Sequence, residues 1–207
     1  ANYPSRDDWR TALVNYVAGS GLDSQGQLDL YRLQAANGAM ASERDYQAYA
    51  TLAEKAGYPA EAKAIIEAGR AAGKLTTKHG PTAQLLKTVT PRATKEIAGL
   101  PALAKKAAAG GKGGPAMALA DIYFSQGQYP QAVEFYQMAL TKGDVDTSRV
   151  HARLGIAMAR SGDLAAAKQA LAQADGNWAA VAGFWSIWVD EKNGRSAALP
   201  ASSAVTG

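Results

Sequence analysis

Two histidines, no cysteine and a few neighbouring carboxylates are what this 207-residue chain offers for catalysis or metal binding. His79 lies in a Lys-His-Gly loop and His151 stands between Arg149 and Arg153. Neither has a second ligand at metal spacing, such as the His-x-x-x-His of a helix. Without cysteine there is no disulfide, no thiolate metal site and no sulfur nucleophile. The acidic pairs Asp7-Asp8 and Asp190-Glu191 are sequence neighbours and read as solvated helix termini rather than an acid–base couple. No serine lies in a nucleophile elbow. The run Gly110-Gly111-Lys112-Gly113-Gly114 is not a phosphate loop. It lacks the earlier glycine of that motif, and Gly113 stands where Ser or Thr should follow the lysine. The sequence therefore predicts no enzyme, no catalytic residue, no metal site and no cofactor. The chemistry left to it is non-covalent recognition.

The elements that would position a recognition surface are clearest at residues 116–140. Ala116, Leu119, Ala120 and Tyr123 recur at three- and four-residue intervals, the spacing of one helix face. Gly127 sits where that helix must end. Ala132, Phe135, Tyr136, Ala139 and Leu140 repeat the pattern in a second helix. Small residues at Ala120, Ala132 and Ala139 let the two axes approach closely. The same slots recur 35 residues later, where Leu154, Gly155, Met158, Gly162, Leu164, Ala167, Leu171 and Ala174 take them. Tyr49, Ala50, Ala53, Gly57, Pro59, Ala62, Ile66 and Gly69 fill them 70 residues earlier.

This pattern resembles the tetratricopeptide repeat (TPR) and implies a bacterial TPR-containing protein. The family's period is about 34 residues. The fold so implied is an all-α, TPR-like superhelix (α-solenoid) of stacked antiparallel hairpins over residues 1–192. Clear repeats are expected at about 43–73, 115–146 and 147–176, with degenerate pairs at 5–38 and 76–112. A C-terminal capping helix is expected over 178–192 and a flexible tail over 193–207. Two family features depart here. The large aromatic near the start of the first helix is Ala116 in the best copy, and Asp144 stands near the place of the closing proline.

The resemblance also implies a function: a scaffold for protein–protein interaction that holds a partner segment in its concave groove. Carried over residue by residue, the groove positions are Arg44, Gln47, Thr51, Glu54 and Lys55 in the first clear repeat. Met117, Asp121, Phe124 and Ser125 follow in the second, and Arg149, Ala152, Ile156 and Arg160 in the third. Asp121 and Ile156 occupy slots where some family members use Asn to clamp a terminal carboxylate. Phe124 lies away from Leu119 and Tyr123 on its helix and is expected as an exposed aromatic anchor. Arg44, Lys55, Arg149 and Arg160 favour an acidic or carboxylate-bearing segment.

Charge supports an alternative. The net charge is +4, yet residues 70–112 carry nine cations against the single carboxylate of Glu96. That segment could hold an anionic partner: an acidic protein, a membrane surface or a nucleic acid. It contains no Phe, Tyr or Trp to stack bases. Pro81, Pro91 and Pro101 are expected to cut it into short pieces, and the glycine run 110–114 to make a flexible joint. No window approaches the roughly 18 apolar residues of a membrane helix. The stripe Trp178, Trp185, Trp188 reads as a solenoid cap, or else as a surface for another chain, including a homo-oligomer. The absence of cysteine and the Ala-rich composition lean towards a periplasmic or secreted protein over a cytoplasmic one. The start at Ala1 fits a processed product, or a regulatory module of a larger protein.

Overall fold

The structure, a computed structural model, describes residues 3–76 and 79–198, with side chains to residue 194. Among the described residues it is all helical, without a strand. The helices are α1 (Arg6–Gly19), α2 (Ser24–Ala36), α3 (Glu43–Lys55), α4 (Pro59–Ala71) and α5 (Pro81–Ala109). They are followed by α6 (Gly114–Ser125), α7 (Tyr129–Lys142), α8 (Thr147–Ser161) and α9 (Leu164–Leu171). A 3₁₀ turn (Gly176–Trp178) then leads into α10 (Ala179–Ala198). From α3 onward each helix packs against its neighbour in the chain.

Local chemistry sets the helix starts. Ser5 with Asp8 and Ser42 with Asp45 form capping boxes on α1 and α3, and the Asp23, Asp146 and Asp163 carboxylates cap α2, α8 and α9. The hairpins α3–α4, α6–α7 and α8–α9 turn at Gly57, Gly127 and Gly162, all at positive φ. Small residues then bring the paired axes together. Ala53, Ala62, Ala120, Ala132, Ala139 and Ala167 are fully buried. At Gly155 a Cβ would lie 2.6 Å from Leu171 Cγ and 2.9 Å from the Leu171 nitrogen, so only glycine fits where α8 meets α9.

The segment expected as a degenerate pair over 76–112 is instead one 29-residue helix, α5. Pro91 and Pro101 lie inside it and do not end it. Each proline removes one backbone donor and leaves a carbonyl four residues earlier without its partner. Here both prolines are exposed, as are Lys87 and Ile97 at the affected turns, so water can satisfy those carbonyls. The glycine run is likewise a tight connection rather than a flexible joint. The Gly113 N–H donates to Gly143 O at 2.9 Å, and a Cβ at Gly113 would meet Ala139 O at 2.3 Å. Lys142 Nζ donates to Ala107 O, Ala108 O and Gly110 O at 2.6–2.8 Å, closing the C-terminus of α5.

At the C-terminus α10 runs through Ala198, beyond the start expected for the tail at 193; residues 199–207 of that tail lie outside the described residues. Trp178, Trp185 and Trp188 all face inward and are buried. They serve the interior, which leaves the indoles unavailable for a homo-oligomer contact.

The largest departure concerns the N-terminal pair. It does not stand at one end as a loose terminal repeat. Trp9, Leu13, Leu30 and Leu33 join the core built by α6–α10, while Leu28 joins a second core with α3, α4 and Val89 of α5. Helix α2 is thus a partition between two cores. Gly26, Leu28, Asp29, Leu30, Arg32, Leu33 and Gln34 are all buried on it. Two indoles tie the pair to α10: Trp9 Nε1 donates to Glu191 Oε2 at 3.0 Å, and Trp185 Nε1 to Asp29 O at 3.2 Å.

Candidate functional site: a buried charge chain and the cavity beside it

Burying α2 this way takes two of its charged side chains, Asp29 and Arg32, out of water, and a buried charge must be paired. The pairing runs through four helices. Glu61 of α4 accepts both arms of a bidentate Arg32 fork, at 2.8 and 2.6 Å. Arg32 also donates to Asp29. Asp29 accepts from Arg153 Nε of α8 at 2.9 Å, and Arg153 donates on to Asp121 of α6 at 2.7 Å. Asp121 finally accepts from Arg149. Three carboxylates and three guanidinium groups alternate, so the chain is neutral. Gln25 Oε1 accepts from Arg153 at 2.8 Å, and two tyrosine hydroxyls join the chain. Tyr49 donates to Glu61 at 2.8 Å and Tyr136 to Asp121 at 2.6 Å. The Phe124 ring lies beneath the middle, 4.7 Å from the Arg32 guanidinium carbon and 6.0 Å from that of Arg153.

The electrostatics follow from burial working against pairing. Burial alone would raise the Asp121 carboxyl, but Arg153, Arg149 and the Tyr136 hydroxyl outweigh it and hold the group below the usual carboxylate range. Burial would likewise lower Arg153 and Arg32. Asp121 and Asp29 overcome that for Arg153, and Glu61 and Asp29 for Arg32, so both stay firmly charged. Burial, together with the adjacent carboxylate, pushes the Tyr136 and Tyr49 hydroxyls well above their ordinary value. Asp121 therefore stays ionised, Arg32 and Arg153 stay charged, and the Tyr49 and Tyr136 hydroxyls stay neutral near neutral pH. The arrangement holds α2, α4, α6 and α8 in fixed register and positions the side chains packed against it.

The groove residues predicted from sequence divide among three places. Asp121 and Arg149 belong to the charge chain. Phe124, Ile156 and Arg160 line a cavity of about 490 Å³ at the seam of the two cores. Its walls come from α2, α3, α4, α5, the α6–α7 turn, α8 and α10, including Arg32, Glu61, Ile97, Tyr129 and Trp185. Arg44, Gln47, Thr51 and Lys55 gather elsewhere, around an open hollow of about 390 Å³ shared with Gln27 and Tyr31 of α2. Met117 is half-buried against the larger core and joins neither. Phe124 is not the exposed anchor expected of it: it is 3 % exposed, because Tyr129, Tyr136 and the two guanidinium groups enclose its ring. Ile156 is fully buried as well.

What does remain open is the mouth of the cavity. Arg160 is exposed there, 5.2 Å over the Tyr129 ring, and forms no ion pair with a described residue. Ile97 stands at the same opening, 53 % exposed. Gln126 Nε2 donates to Glu96 of α5 at 3.0 Å and ties α5 to the α6–α7 turn. Burial raises the Glu96 carboxyl, partly offset by that bond and by the Ala60 N–H at the uncapped start of α4.

Sequence reasoning missed Asp29, Arg32, Glu61 and Arg153. A signal existed: each lies on an apolar stripe of its own helix. Gly26, Asp29, Leu30 and Leu33 share one face, as do Val150, Arg153, Leu154 and Ala157. A charge at such a slot requires a buried partner. Among the described residues no group of three or more His, Asp or Glu could hold a metal ion, and no described helix is long and apolar enough to cross a membrane. Compared with protein-family models and with curated proteins, the sequence matches none.

Proposed function

We propose that the protein is an interaction module of TPR-like stacked hairpins that receives a short partner segment at the mouth of the 490 Å³ cavity. The observation that carries this reading is the Arg160 guanidinium, held over Tyr129 without a carboxylate partner among the described residues, at the rim of a half-open cavity lined by Phe124, Ile156 and Trp185. A cation at the rim with aromatic and aliphatic walls inside suits an acidic or terminal carboxylate joined to an apolar side chain. Because α2 is packed between the two cores, the proposed segment is short and enters end-on at the cavity mouth. The charge chain fixes Phe124 and Tyr136 before any ligand arrives, which lowers the ordering cost of binding.

The test is to recover partners from the native host with the parent chain and map the bound segment as a peptide. Arg160→Glu combined with Ile97→Asp changes only exposed side chains and should leave the fold intact. Binding should fall at least about tenfold, roughly 1.4 kcal/mol. The parent should also show a change in tryptophan emission on titration, because Trp185 lines the cavity. Undiminished binding of every recovered partner by the double variant would move the site elsewhere.

A further inference from the structure

Helix α5 leaves a second surface open, beside the cavity but lined by different residues. It supplies one helix where the neighbouring stretches of chain supply two, and among the described residues no helix covers its surface at Gly99, Ala102 and Leu103. Arg92, Lys95, Glu96, Gly99, Ala102 and Leu103 follow three- and four-residue steps along that face, the spacing of a helix–helix contact. With Gly57 and Pro59 of the α3–α4 turn they line an open trough of about 620 Å³ whose exposed wall is largely apolar. Leu103 is 39 % exposed at one end. Gly99 and Ala102 form the low point between, where a facing helix axis could come close. A methyl group on Gly99 would meet nothing within 4 Å, so the space above it is empty.

The charge around the trough is mainly positive: Glu96, the carboxylate on its wall, accepts from Gln126. Lys95 within it and Lys105 and Lys106 beyond it are exposed and form no ion pair with a described residue. Arg92 is satisfied by Glu54 at 2.6 Å. We propose that this trough is a docking site for an acidic amphipathic helix of a partner protein. The apolar stripe of such a helix covers Leu103, Ala102 and Gly99, and its carboxylates meet Lys95 and Lys106. From residue 92 to 106 the face spans about 21 Å, or roughly four helical turns. A recessed surface floored by glycine favours an inserted helix over a bilayer, which is bound by apolar groups that protrude.

The probe is a labelled helical peptide of about 18 residues, ~27 Å long. It is composed of Glu, Ala and Leu, with the leucines at i, i+3, i+4 and i+7, and is titrated by fluorescence anisotropy against the whole chain. A scrambled peptide of identical composition and vesicles of phosphatidylcholine with phosphatidylglycerol form the other arms. The patterned peptide should bind at least about tenfold tighter than the scrambled one and weaken with salt. Gly99→Leu should fill the trough and lower its affinity about tenfold, roughly 1.4 kcal/mol. That variant should melt no lower than the parent, because leucine is the better helix former. Lys95→Glu with Lys106→Glu should also abolish binding, whereas Arg160→Glu should leave it unchanged. Equal affinity for both peptides would overturn the proposal, as would undiminished binding by Gly99→Leu. Binding of vesicles without binding of the patterned peptide would overturn it in favour of a membrane.

Discussion

Replacing Arg153 with methionine tests the charge chain directly. Arg153 is fully buried and contacts Asp29, Asp121 and Gln25. Methionine keeps much of the volume and removes the charge. Asp29 then retains only Arg32, and Asp121 retains Arg149 and the Tyr136 hydroxyl. The neutral chain becomes a buried cluster with one excess negative charge. Breaking a buried pair by removing one partner costs about 3–5 kcal/mol. Since each carboxylate keeps one cation, the expected loss sits near the lower end, about 3 kcal/mol. For a domain of this size that corresponds to a Tm roughly 6–12 °C lower. Urea unfolding at neutral pH, followed by tryptophan emission, reads the change well, because Arg153 lies 5.5 Å over the Trp178 ring. Arg160→Met is the control: its guanidinium is exposed, and the expected change is within about 0.5 kcal/mol. Pairing Arg153→Met with Asp29→Asn should restore part of the loss, since the excess charge is then relieved. An Arg153→Met chain within about 1 kcal/mol of the parent would refute the reasoning. The network would then be incidental to stability.

Two further outcomes can be checked on the same samples. Gly155→Ala should destabilise by roughly 1–3 kcal/mol, because its Cβ would press into Leu171; an unchanged urea midpoint would mean that α8 and α9 can separate freely. The Asp121 carboxyl is held below its ordinary value, near ~3.9 in the unfolded chain. Its stabilising contribution is therefore complete above that pH and is lost as pH falls through the lower folded-state value. The stability gap between parent and Asp121→Asn should be widest near neutrality and should narrow below about pH 4; a gap constant down to pH 2 would contradict the assignment.

The hairpins were legible because their signals are local. Gly57, Gly127 and Gly162 mark the turns, and Ala53, Ala120, Ala132 and Ala167 mark the close approaches. The caps at Ser42 and Asp23 follow from a few consecutive residues. Helix α5 departs from the expected short pieces because the cost of a proline inside a helix depends on where the freed carbonyl points. At Pro91 and Pro101 the exposed turns reach water, and the 29-residue helix survives. The charge chain was illegible for a different reason. Asp29 and Arg153 are 124 residues apart, and no local pattern names a partner at that distance. What could be read was the anomaly of a charge on an apolar stripe, without its answer. Phe124 shows the same limit: its place on the helix was correct, but the guanidinium groups enclosing its ring come from α2 and α8.

The position of α2 between the two cores constrains how the chain can be made. A stack whose repeats contact only their neighbours can close one hairpin at a time as it leaves the ribosome. Here Leu30, Leu33 and Asp29 emerge early, yet their partners come late: the Trp185 indole that bonds Asp29 lies 156 residues further on. At about 5–20 residues per second, the Leu30 and Leu33 face of that helix waits roughly 8–30 s uncovered. Hairpins α3–α4 and α6–α7 can form meanwhile, and the smaller core closes with Val89 of α5, but the larger core is complete only when the start of the chain meets its end. A nascent chain arrested before Gly176 should therefore be protease-sensitive throughout α1 and α2, and release of the full chain should protect them in one step.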